Sequence, residues 1–254
     1  MPQACGPGRR AGAFQETVIT AASNVYTSPR VAPLLVLGFA SGLPLALTSG
    51  TLQAWATVEN VPLQEIGFLT LVGSAYTLKF LWAPLVDRYA PPLLGRRRGW
   101  MLLTQVLLGL GIMAMGALSP SSALQTLALF AVIVAFLSAT QDIAFDAYCT
   151  DVLRKEERGA GAAIKVMGYR LAMIVSGGLA LILADQWIGW HNTYVLMGGL
   201  MLLCTLATFW APEPEHVARP PRTLREAVGE PLHEFFSRRG ALAVLLLIVL
   251  YKLG

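Results

Sequence analysis

The chain is a succession of long apolar runs broken by short polar connectors. Runs near 33–58, 64–86, 100–118, 123–149, 163–184 and 191–211 are each long enough, at about 1.5 Å rise per residue, to span a hydrocarbon core of roughly 30 Å as a helix. A further run begins at Ala241 and continues to Gly254; it would reach only about 21 Å. The pattern predicts six membrane helices and the truncated start of a seventh, so the chain is expected to be a fragment or a prematurely terminated product. Short connectors favour antiparallel neighbours. Residues 1–32, rich in Gly, Pro and Arg with a mildly amphipathic stretch at Phe14–Ile19, are expected to form a cytoplasmic tail. They lack the apolar core of a cleavable signal. Between 212 and 240 the rhythm breaks at Pro212, Pro214, Pro220 and Pro221, followed by a charged, helix-compatible stretch Thr223–Arg239. The organisation is therefore a tail (1–32), a six-helix unit (33–211), a cytoplasmic linker (212–240) and the start of a new span (241–254). Six spans, a linker and a new span match one half of a two-fold-repeated transporter.

Polar residues inside the runs carry the chemistry. Lys79 lies eight residues before Asp87, Asp142 eight before Thr150, and Arg170 seven after Ala163 in a run of opposite direction. All three then sit roughly 10–12 Å from one face of the bilayer. An intramembrane charge costs about 2.5–3.5 kcal/mol on insertion scales and persists where it meets a partner or a watery cavity, so it marks an ion or solute path. Asp142 and Asp146 share a helix face at i, i+4. One of them could carry a proton between the two sides, or Asp142 could be held in a permanent ion pair with Arg170 or Lys79; Lys165 is the candidate partner for Asp146. Gln141, Tyr76 and Tyr169 are further cavity candidates, with Ser41, Thr48, Ser49 and Gln53 on the first run. The third and sixth runs are nearly free of polar groups and are expected to face lipid, the other four to line the interior.

Composition agrees with a bilayer: 55% of residues are hydrophobic and 13% charged, against about 25% charged in soluble domains. The net charge of +4 does not point to nucleic acid. Apart from Lys79, Lys165, Arg170 and Lys252, every Lys and Arg lies in the N-terminal segment or in loops after the second, fourth and sixth runs. That is the positive-inside pattern, with the N terminus cytoplasmic. Cys5, Cys149 and Cys204 have neither disulfide nor metal spacing. Nothing resembles GxSxG, HExxH, a Walker loop or CxxC, so the chain is read as a carrier and not an enzyme. Gly38 and Gly42 form a GxxxG, with Gly177-Gly178 and Gly198-Gly199 later, suited to close helix packing. Pro44 and Pro84 should kink their helices. The tryptophans, Trp55, Trp82 and Trp190 among them, read as an interfacial belt, and His191 as a surface residue.

The loop after the second run reads Asp87-Arg88-Tyr89 and then Gly95-Arg96-Arg97-Arg98-Gly99. It resembles the signature loop of the major facilitator superfamily, which implies a conformational role for Asp87, Arg88, Gly95, Arg96, Arg97 and Arg98. At the level of whole motifs, LGFASGLPLALTSGTLQAW (37–55), YTLKFLWAPLVDRY (76–89), SATQDIAFDAY (138–148), ERGAGAA (157–163) and SGGLALILAD (176–185) together resemble the AmpG family of anhydromuropeptide permeases. The resemblance implies an all-α fold, the N-terminal half of a major facilitator transporter, in the bacterial inner membrane. It implies proton symport of N-acetylglucosaminyl-1,6-anhydro-N-acetylmuramyl peptides for peptidoglycan recycling and β-lactamase induction. No cofactor is implied beyond the proton gradient; the partners are the muropeptide, the lipid bilayer and a C-terminal half. Lys79 and Arg170 would suit substrate carboxylates and the Tyr rings sugar faces. Cys149 stands where the family pattern suggests a basic residue. A carrier of another solute class, or a non-transporting half that needs a partner, stays open.

Overall fold

The computed structural model describes residues 28–89, 91, 94–214, 229, 233–238 and 240–253. The stretch Phe14–Ile19, most of the 1–32 tail and most of the 212–240 linker lie outside them. The described residues form an all-α unit. Helix α1 (Pro33–Val58), α3 (Arg96–Gly116), α4 (Pro120–Val152), α5 (Arg158–Trp187) and α6 (Gly189–Trp210) are, among the described residues, long and apolar enough to cross a membrane. A shorter apolar helix, α7 (Ala241–Leu253), follows.

The second apolar run departs from a single helix. It forms α2, assembled from Leu63–Leu69, Ser74–Leu78 and Ala83–Arg88, with 3-10 turns at Thr70–Gly73 and Lys79–Leu81 between them. Pro84 has no N–H to donate to the preceding turn; it stands at the second position of the last segment, two residues after the break at Trp82 (φ −111°, ψ 0°). Pro44 does not end α1, but the helix bends one turn later at Ser49 (φ −123°, ψ −102°). There the Ser49 N–H turns to the Ala46 carbonyl. The Leu45 carbonyl accepts the Ser49 hydroxyl at 2.5 Å, and the Pro44 carbonyl accepts Thr48 Oγ1 at 2.9 Å. The Ser49 hydroxyl thus takes up the Leu45 carbonyl that its own N–H has left, a group the bilayer could not satisfy.

α1 packs along α5, α3 along α6 and α4, and α4 also against α1. Missing Cβ atoms set the closest crossings. A Cβ on Gly38 would lie 2.5 Å from the Lys165 carbonyl oxygen, on Gly42 2.7 Å from that of Tyr169, and on Gly168 2.2 Å from that of Leu35. The α3–α6 crossing is built the same way: a Cβ on Gly198 would lie 2.6 Å from the Gly109 carbonyl oxygen. Gly177 and Gly178 form no such crossing; a Cβ on Gly177 would make ordinary contact with Ala46 at 3.6 Å, and one on Gly178 would meet open space.

Two apolar clusters fill the interior. One gathers Leu43, Leu47, Leu52, Trp55, Ile112 and Tyr194; the other gathers Leu34, Leu37, Val86, Met101, Phe145 and Tyr148. Trp55 is only 3% exposed and stacks on Trp190 with ring centroids 5.7 Å apart. Trp82 donates to Thr140 Oγ1 at 3.1 Å and packs on Phe136. These tryptophans serve helix packing, whereas Trp187 and Trp210 are exposed. His191 is exposed, with Nδ1 2.6 Å from the Gly116 carbonyl oxygen. α1 is the central, mostly buried helix, and α2 and α5 turn Phe68, Leu71, Phe80, Ile174 and Ile182 outward just as α3 and α6 do Leu110 and Leu203.

Candidate functional site

The crossing of α1 on α5 and the packing of α4 beside them bring charged side chains together with those of α2. Ser41 donates to Asp142 Oδ1 at 2.5 Å, and Lys79 Nζ lies 3.7 Å from Asp142 Oδ2. The same Nζ lies 3.9 Å from Asp146 Oδ2, while Lys165 pairs with Asp146 Oδ1. Asp142 is largely withdrawn, its side chain 14% exposed, against 50% for Asp146. Two lysines from different helices thus serve two carboxylates one turn apart on α4. Removing Lys79 would leave the withdrawn Asp142 without its cation, which is costly, whereas the pairs of the half-exposed Asp146 are screened by solvent and count for less.

Arg170 does not join this group. Its guanidinium is exposed and its Nη1 lies 3.9 Å from Met173 Sδ, so the Asp142–Arg170 pair admitted by the sequence does not form. The reason is helical phase. α5 meets α4 through Lys165, and a residue five positions on lies roughly 140° round the helix. Tyr169, half-buried, follows Gly168 on the face that crosses α1.

Of the other candidates, Gln141 is 1% exposed and its Oε1 has no hydrogen-bond partner. The Tyr76 and Ser138 hydroxyls are buried near each other, and neither completes a hydrogen bond of normal geometry. Thr48 and Ser49 turn their hydroxyls to carbonyls of their own helix at the bend. Gln53 is half-buried beyond that bend.

A second cluster sits at the end of α2 and the start of α3. Arg97 pairs with Asp87 on one side and donates Nε to Asp151 Oδ2 at 3.0 Å on the other, tying the ends of α2 and α4 to the start of α3. Arg96 Nη1 donates to the Asp87 carbonyl at 3.2 Å. Arg98 closes the end of α6, donating to the Thr208 carbonyl at 3.1 Å and that of Phe209 at 2.7 Å, where cations suit the helix dipole. Gly95 (φ +76°) makes the turn that starts α3, and Arg88 lies 5.6 Å over the Tyr89 ring. Asp151 escaped the sequence reading; an acid just past a run, opposite three arginines, was the available signal.

The Glu59 carboxylate, just past the end of α1, gathers donors from α1 and from the start of α4. Oε1 accepts Trp55 Nε1 at 3.0 Å, and Oε2 accepts Ser119 Oγ at 2.6 Å and the Ser121 N–H at 3.2 Å. Among the described residues no group of His, Cys, Asp and Glu could hold a metal ion.

The chain is 62% identical over 231 residues to the "Anhydromuropeptide permease" of Escherichia coli K12, covering 91% of this chain and 47% of that protein. An "Uncharacterized protein" of Haemophilus influenzae is 42% identical over 222 residues, covering 85% and 52%. The "Putative transporter AmpG 4" of Rickettsia felis is 30% identical over 241 residues, covering 91% and 58%. The chain spans about half the length of these curated relatives. Its apolar helices, the charged pairs between them and the arginine-tied loop before α3 coincide with a match to the family model described as Major Facilitator Superfamily over residues 34–253. On that match, the chain belongs to the Major Facilitator Superfamily.

Proposed function

We propose that this chain supplies one half of a proton-coupled carrier that imports N-acetylglucosaminyl-1,6-anhydro-N-acetylmuramyl peptides across a bacterial inner membrane. The observation that carries the reading is the 62% identity, over 231 residues, to a protein named anhydromuropeptide permease. The N terminus, the α2–α3 connection and the loop holding Glu157 are cytoplasmic, a placement supported by the distribution of Lys and Arg. Substrate binds where a second, homologous half faces α1, α2, α4 and α5. Exposed Arg170 and half-exposed Lys79 present cations to the peptide carboxylates, and Tyr169 offers a ring to a sugar face. Asp142 carries the proton. Once neutral it no longer holds Lys79, which turns to substrate, so proton and solute move together. The Asp87–Arg97–Asp151 tie holds α2, α3 and α4 as one body while the halves rock. The imported sugar peptide feeds cell-wall recycling and the signal for β-lactamase induction.

The test completes this chain with the remaining half of the Escherichia coli relative and expresses it in a permease-deficient strain. Labelled disaccharide-anhydro-peptide should accumulate, and excess unlabelled muropeptide should suppress it about tenfold or more, while sugar phosphates and cationic drugs leave it unchanged. Equal competition by unrelated solutes would sink the substrate assignment.

A further inference from the structure

Lys79 stands almost equidistant from two carboxylates, 3.7 Å from Asp142 Oδ2 and 3.9 Å from Asp146 Oδ2. Distance alone does not decide which of them it serves. The other partner of each carboxylate does. Asp142 holds only the neutral Ser41 hydroxyl on Oδ1, whereas Asp146 has the full charge of Lys165 there. An aspartate already compensated by one ammonium attracts a second one less.

Lys165 is held in place from both ends. Its backbone carbonyl packs into the gap left by Gly38, where a Cβ would sit 2.5 Å away, and its Nζ lies 5.3 Å from the centre of the Phe145 ring. The α1–α5 crossing therefore sets its reach to Asp146. The pair lies on a cleft of about 490 Å³ between α4 and α5, lined also by Cys149, Thr150 and Arg158.

We propose that Lys165 is a positioning residue: by occupying Asp146 it leaves Lys79 to Asp142 and keeps those two as the exchanging pair. The proposal rests on the coupling role given above to Asp142. The groups facing the two carboxylates are Lys79 and Tyr76 from α2, Ser41 from α1, and Lys165 and Tyr169 from α5, with Cys149 and Arg158 at the cleft. Without Lys165, Asp146 draws Lys79 away and Asp142 loses the partner whose release couples proton to solute.

The experiment measures uphill uptake, its pH profile and protein level in the completed transporter. Lys165→Met should lower uptake per molecule about tenfold, within the range of couplings between neighbouring charges, and displace the pH profile. Lys165→Arg should keep both near wild type. The double change Asp146→Asn, Lys165→Met should return uptake to within about threefold of wild type and restore the profile, since no second carboxylate then competes. A normal Lys165→Met would overturn the proposal. So would a double variant as poor as the single one, which would mean that Lys165 touches substrate or only holds the fold. An Asp142→Asn variant that still accumulates substrate would remove the underlying reading and the proposal with it; an inactive Asp142→Asn beside a normal Lys165→Met would remove the proposal alone.

Discussion

Glu59 ties the end of α1 to the start of α4 through one carboxylate. Hydrogen bonds from Ser119 first, then Ser121, hold its pKa below the ordinary 4.5, outweighing the opposing effect of partial burial. A depressed carboxylate contributes stability that is present in full above 4.5 and is lost as pH falls through the folded value. Glu59→Gln should therefore lower the melting temperature by about 2 °C at pH 7, a small value because the group is solvated. The gap from wild type should close below pH 4.5. A gap that does not change with pH would mean that shape, and not charge, makes the contact. At this scale the sequence showed which residues were unusual and offered Lys165 for Asp146, the pair that forms, but left the partner of Asp142 open. Lys79, Asp142 and Asp146 stood out because charge in an apolar run is costly. The choice of Lys79 over Arg170 as the partner of Asp142 depended on the rotation of α5, which no spacing within one helix reveals.

At the scale of elements, long apolar runs predicted helices, and α3, α4 and α6 follow them closely. α2 did not form one helix, because hydropathy is blind to the break that Pro84 and the short turns impose on the backbone. GxxxG in α1 was legible, yet its partner glycine on α5, Gly168, lies outside any such motif. Gly168→Ala would place a Cβ 2.2 Å from the Leu35 carbonyl oxygen and 3.0 Å from the Phe39 nitrogen, both backbone atoms. The helices must then part, at about 1–3 kcal/mol. The melting temperature of the purified protein in detergent should fall by roughly 2–4 °C for each kcal/mol. Gly178→Ala, with open space around it, serves as control and should stay within about 1 °C of wild type. Equal effects of the two would show that backbone freedom, not the α1–α5 contact, governs the loss.

For the whole molecule, the charged group between α1, α2, α4 and α5 and the arginine tie at the end of α3 are separate devices. In the proposed mechanism the first changes its partners when a proton arrives, and the second keeps α2, α3 and α4 moving together. Coupling then predicts a separation of two activities in the completed transporter. Wild type should concentrate labelled anhydromuropeptide when the outside is made acid, and should also exchange labelled for unlabelled substrate without a pH gradient. Asp142→Asn should keep exchange within about threefold of wild type and lose accumulation altogether, because a permanently neutral residue still permits the halves to rock but carries no proton. Accumulation by Asp142→Asn equal to that of wild type, at equal protein level and under the same gradient, would contradict proton transfer at this carboxylate.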